Sequence, residues 1–152
     1  MQKLPRVAVV DLRGMIMASN SPAARGKVIN MEGSRRQLDA AFKVKRLDAV
    51  YLNINSPGGA PTQCELITDY LDLKAKEKNV KVYSFVEDMA ASGGYWLACA
   101  GEKIYVKETS IVGSIGVISN REVSKKNGGE KLSFVNVLPP SKWLSHILGT
   151  SI

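Results

Sequence analysis

The chain has 152 residues, 45% of them hydrophobic, with two cysteines and a formal net charge of +7. That length carries one domain with one real core, and the hydrophobic share excludes a disordered chain. Two cysteines exclude a disulfide framework, and no apolar run reads as a membrane span or a secretory signal.

Residues 6–12 (RVAVVDL) read as a buried strand closed by Gly14. Residues 14–30 read as loop. The stretch 32–46 places Leu38, Ala41 and Phe42 on one helical face. Residues 48–54 (DAVYLNI) form a second strand, broken sharply by Asn55-Ser56-Pro57-Gly58-Gly59. A helix follows over 61–78, with Leu66, Ile67, Tyr70, Leu71 and Leu73 as its buried stripe. Residues 80–86 (VKVYSFV) make a third strand. After a short loop, Ala91-Ser92-Gly93-Gly94 opens an apolar helix that runs to Ala100. Further strands are expected over 103–106, 111–118 and 132–137. Strands alternating with helices at this spacing predict an α/β domain with parallel strands, and sites in such folds lie at the carboxyl ends of strands.

The positive charge forms no single block. Arg35/Arg36, Lys43/Lys45/Arg46, Lys74/Lys76/Lys78 and Lys125/Lys126 fall on expected helices or their ends, the pattern of solvated faces. No nucleic-acid partner is expected, and anionic lipid would suit a basic patch as well. Cys64 and Cys99 read as small buried hydrophobes. No metal cluster is legible, and no cofactor is expected. His146, the only histidine, is not read as a catalytic base.

Two glycine-rich turns carry the chemistry. Ser92 lies in a small-x-Ser-x-Gly pattern between a strand and a helix, related to the nucleophile elbow. A serine there meets the free N–H groups of a helix start, and the amide of Gly93 can donate to a developing oxyanion. The plain alternative is a serine that caps the helix. In the other turn, Pro57 presets one angle and the glycines leave an amide exposed, a second oxyanion donor. Its plain alternative is a tight strand-to-helix turn.

Ile54-Asn55-Ser56-Pro57-Gly58-Gly59, Ala91-Ser92-Gly93-Gly94-Tyr95 and Val112-Gly113-Ser114-Ile115-Gly116-Val117-Ile118 occur in this order. With Ala98-Cys99-Ala100-Gly101-Glu102-Lys103-Ile104, they resemble the signal peptide peptidase / protease IV family of serine–lysine peptidases over residues 5–137. The resemblance implies a Clp protease/crotonase-like fold of stacked βαβ units, and a Ser–Lys dyad in place of Ser-His-Asp. It implies Ser92 as nucleophile, the amides of Gly59 and Gly93 as oxyanion hole, and Ser114 as the residue orienting the base lysine. It also implies a peptide substrate, ring-like homo-oligomers and membrane association. Lys142, 50 residues after Ser92, is the candidate general base. It departs from the family pattern, because Pro139-Pro140-Ser141 precedes it with no glycine and the register is about two residues short. The expected organisation is therefore a peptidase core over 1–137 and a divergent or truncated tail over 138–152.

The function expected is a serine endopeptidase acting on short hydrophobic peptides such as signal-peptide remnants. The alternative is an impaired relative without a competent lysine, serving as a peptide-binding or assembly subunit. An acyl-CoA enzyme of the crotonase type is disfavoured by Ser92-Gly93-Gly94-Tyr95, because that chemistry needs no serine nucleophile there.

Overall fold

The computed structural model describes residues 4–18 and 27–114 in full, and 117–119 and 135–137 as backbone. The chain divides into two compact units, Met1–Ser114 and Ile115–Ile152. In the first, the strands are β1 (Val7–Arg13), β2 (Met15–Ile16), β3 (Val28–Ile29), β4 (Ala49–Ser56), β5 (Lys81–Ala91), β6 (Ile104–Tyr105) and β7 (Ile111–Gly113). The helices are α1 (Met31–Phe42), α2 (Pro61–Lys78) and α3 (Gly93–Ala98). A parallel sheet runs β1-β4-β5-β6, with β7 also paired to β5. β2 and β3 form a separate parallel pair. In the second unit, β8 (Val117–Ser119) and β9 (Val135–Val137) pair antiparallel. The α/β class with mostly parallel strands is the one the sequence predicts.

The core lies on one face of the sheet. Val10 and Leu12 of β1, Leu52 and Ile54 of β4, and Val82 and Val86 of β5 point to that face and are buried. Leu38 and Phe42 of α1, Ile67 and Leu71 of α2, and Leu97 of α3 meet them there. Each such side chain contributes about 1.5–3 kcal/mol by leaving water. Tyr51, Tyr83, Phe85 and Tyr105 form an aromatic ladder on the opposite face, in register with the pairing of β4, β5 and β6.

Several sequence expectations are corrected by this geometry. The first strand is half buried, with Val9 61% exposed, because helices cover only one face of the sheet among the described residues. The expected loop over 14–30 contains β2 and β3. Helix α1 ends at Phe42, four residues early, since Phe42 is its last side chain to reach the core and Val44 is exposed. Helix α2 has the expected bounds but a different buried stripe: Cys64, Ile67, Thr68 and Leu71. That set has the spacing of one helical face, which leaves Leu66 and Leu73 on the solvent side, 46% and 52% exposed. Helix α3 ends at Ala98, and Cys99 is its half-buried C-cap rather than a core residue. The strand expected over 111–118 is divided between β7 and β8.

Strand β5 runs five residues past its expected end, through an irregularity in its pairing with β4. Ile54 pairs with Val86 and Ser56 with Ala90, so β5 advances four residues while β4 advances two. Such a bulge bends a strand and re-aims its end. Before the bulge β5 pairs with β6; beyond it, Met89–Ala91 pair with β7.

Candidate active site

The chain leaves β5 at Ala91 and enters α3 at Gly93, so Ser92 alone makes the turn. Its backbone has φ 50 and ψ −118. That is close to the first central position of a type II′ turn, at about +60° and −120°, which normally needs glycine. A side chain held there costs on the order of 1–3 kcal/mol and survives only where the surroundings over-determine it. The surroundings do so through both backbone groups: Ser92 N–H donates to the Gly113 carbonyl at 2.9 Å, and the Ser92 carbonyl accepts from Trp96 N–H at 3.1 Å. The hydroxyl makes no capping bond to the helix, so the capping role is not what this serine performs. Ser92 is half-buried.

The second glycine turn lies against this one. A Cβ placed on Gly58 would fall 2.9 Å from both Gly93 N and the Ser92 Cβ, and one on Gly93 would fall 3.3 Å from Gly59 N. Only bare backbone fits between the two turns. The direction of the Gly59 amide follows from its peptide plane. Gly58 C=O accepts from Ile16 N–H at 2.9 Å, and Ala60 N–H donates to the Ile16 carbonyl at 2.8 Å. In a trans peptide the N–H points opposite to the preceding C=O, so Gly59 N–H points away from Ile16, to the side where Gly93 lies. Gly93 opens α3, where no residue of the helix accepts its N–H. Among the described residues, neither amide donates to a protein acceptor. Gly59 is exposed and Gly93 buried.

Below the turns, Cys64 of α2 is fully buried, its thiol directed at the carbonyls of Ala60 (3.4 Å) and Gly93 (3.6 Å). Burial pushes that thiol up to about 12, so it stays protonated and unreactive. Gln63 Oε1 accepts from Met31 N–H at 2.8 Å, tying the first turn of α2 to the start of α1. The loop that carries Gly59 is thereby anchored on its far side.

The structure thus brings Ser92, Gly59 and Gly93 together. Ser114 directly follows the Gly113 carbonyl that holds the Ser92 amide; it is exposed, with φ 56. Lys142 and His146 lie outside the described residues. Sequence reasoning missed two participants. Ile16, in a stretch read as loop, clamps the Gly58–Ala60 backbone on both sides. Ser56, read as part of a chain breaker, is fully buried, donates to the Gly14 carbonyl at 2.7 Å and accepts from Gly58 N–H at 3.1 Å. Its serine identity inside a Pro-Gly-Gly turn was the available signal.

A cleft of about 630 Å³ opens at the carboxyl ends of β1, β4 and β5, lined by Arg13, Asn55, Glu87, Asp88, Lys107, Thr109 and Ile111. Its lining is mostly polar and internally paired: Arg13 to Glu87 at 2.7 Å and Asn55 to Asp88 at 2.7 Å. Ile111 at its edge and the neighbouring Val112 of β7 stand exposed.

Residues 74–128 match the model of Peptidase family S49. The chain is similar to the Na(+)/H(+) antiporter NhaA of Brucella melitensis, 43% identical over 129 residues, covering 82% of this chain and 17% of that protein. It is 34% identical over 119 residues to the probable protease SohB of Haemophilus influenzae, covering 78% of this chain and 31% of that protein. The chain therefore spans less than a third of the length of either relative. Among solved structures, a membrane-bound stomatin-specific protease matches with a TM-score of 0.57 and 15% identity, covering 97% of this chain and 61% of that chain. At that identity the likeness shows the fold. Among the described residues, no helix is long and apolar enough to cross a membrane.

Proposed function

This chain belongs to Peptidase family S49, with the signal peptide peptidases and SohB proteases, and on that premise we propose that it is a serine endopeptidase with Ser92 as its nucleophile. The observation that carries the reading is the Ser92 turn itself. A serine is held where glycine is normally required, it caps nothing, and two undonated amides lie against it. Backbone strain of this kind presents a hydroxyl at a helix start.

In the proposed reaction the Ser92 hydroxyl attacks the scissile carbonyl, and its proton passes to the amine of Lys142. The carbonyl oxygen becomes an oxyanion between Gly59 N–H and Gly93 N–H. Fixed donors aimed at developing charge are worth about 10²–10³ in rate each. The lysine returns the proton to the leaving amine, and water then hydrolyses the acyl-enzyme by the same route. A lysine base must be neutral near pH 7, so its amine must be dry enough to fall well below its ordinary pKa of about 10.4. Ser114 orients that amine. The peptidase core is taken as 1–137, with 138–152 as a divergent tail.

The proposed substrates are short hydrophobic peptides such as signal-peptide remnants, extended beside β7, where Ile111 and Val112 offer apolar surface. The proposed assembly is a homo-oligomer associated with membranes, in line with the family. The test is hydrolysis of quenched fluorescent peptides of apolar sequence. Turnover by the wild type and none by Ser92→Ala supports the reading. Equal turnover by both removes Ser92 from the chemistry.

A further inference from the structure

We propose that Ser56 is a positioning residue: its hydroxyl fixes the Pro57–Gly58 peptide and so steadies the peptide after it, which aims the Gly59 amide at the Ser92 turn. This role rests on the oxyanion function proposed for Gly59. The Ser56 side chain directs its hydrogen bonds into the backbone of the site rather than toward a reactant.

Ser56 is the last residue of β4 and is fully buried. Its Oγ sits between two backbone groups. It donates to the Gly14 carbonyl at 2.7 Å and accepts from the Gly58 N–H at 3.1 Å. Gly14 is no loose anchor, since its own N–H donates to β4 at 2.9 Å. The far side of Gly58 is held as well, its carbonyl accepting from Ile16 N–H. Gly58 is therefore gripped at both ends, by Ser56 at the N–H and by Ile16 at the C=O.

The grip has a directional consequence. Gly58 and Gly59 have φ values of 101 and 144. Two successive glycines can rotate the peptide between them at little steric cost. A rotated peptide would turn Gly59 N–H away from the Ser92 turn without unfolding anything. Ser56 opposes the rotation by fixing the plane before it, and Ile16 by fixing the carbonyl within it. A residue present only to end the strand needs neither hydrogen bond. Alanine would fill nearly the same space and leave the Gly14 carbonyl and the Gly58 N–H without their partner.

Ser56→Ala in the full chain tests this, with amide hydrogen exchange and fluorophosphonate labelling as separate readouts. The expected result is a cooperatively folding variant in which exchange at Gly58, whose N–H loses its Ser56 acceptor, is at least about tenfold faster. Labelling at Ser92 should slow by about 10–100-fold, short of the full loss of an oxyanion donor. Affinity for an unreactive apolar peptide should stay at the wild-type value, which a general loosening of the site would not allow. Ser56→Cys, which keeps the shape and a weak donor, should lie between the two and replaces the alanine variant if that one does not fold.

Unchanged Gly58 exchange overturns the proposal, whatever the labelling. So does labelling that declines only in step with the unfolded fraction. Absence of labelling in the wild type defeats the nucleophile reading instead; faster exchange in Ser56→Ala would still support the clamp.

Discussion

Replacing Ser92 by glycine should make the protein more stable while removing the hydroxyl proposed to react. The backbone there has φ 50 and ψ −118, which costs a side-chain-bearing residue on the order of 1–3 kcal/mol. Glycine removes that cost and returns about 0.5–1 kcal/mol through greater freedom of the unfolded chain. The net gain expected is about 1 kcal/mol, or roughly 2–4 °C in Tm for a protein of this size. Ser92→Ala is the control, since it keeps the Cβ and its strain. Because the hydroxyl makes no capping bond, the alanine variant should lie within about 0.5 kcal/mol of the wild type. Urea denaturation of the three proteins, with a common slope, measures both differences. An alanine variant weaker by about 1 kcal/mol or more would reveal a capping hydroxyl after all. A glycine variant less stable than the wild type would show that the turn holds no strain, and the strained serine could no longer be cited as a sign of function.

Three further outcomes are expected. Gly93→Ala should lose stability by about 1–3 kcal/mol, because the new methyl would fall 2.7 Å from the Cys64 sulfur; adding Cys64→Ala should recover part of the loss, read in the same denaturation assay. Cys64 gives a pH signature. Its thiol is held up at about 12 against an ordinary 9.0, so the unfolded chain releases that proton first. Stability should fall as pH rises from about 9 towards 12, and the slope should be shallower in Cys64→Ala. Lys142→Ala should reduce peptide hydrolysis by about 10²-fold or more, the usual loss of a general base. A slow turnover unaffected by that change would place the chain with impaired relatives that bind peptide or assist assembly.

Much of this architecture was legible in the residues because its signals are local. The β-branched runs, the Pro-Gly-Gly breaker and the Ser-Gly-Gly turn each mark an element end by their own backbone preferences. Helix α2 spans the expected 61–78, and the structure shows Pro61 at its start and Asn79 in the left-handed conformation after its end. Long-range information was harder to read. Nothing near Val9 says that one face of its sheet carries no helix among the described residues, and nothing near Asp88 says that β5 slips by two residues against β4 before reaching Ala90. The same holds within the site. Gly59 and Gly93 could be named from sequence because glycine itself is the signal. Ser56 offered only its serine identity beside the Pro-Gly-Gly turn and Ile16 offered nothing, because they act through partners such as Gly14 and Gly58, which only the fold brings beside them.

The central claim is that Ser92 is an activated nucleophile facing two backbone donors. Incubating the full chain with a fluorophosphonate and mapping the adduct by peptide mass spectrometry tests it most directly. A single adduct is expected on the peptide containing Ser92, abolished in Ser92→Ala although that variant unfolds at the wild-type urea midpoint. An adduct on another serine, or an undiminished adduct in Ser92→Ala, would contradict it.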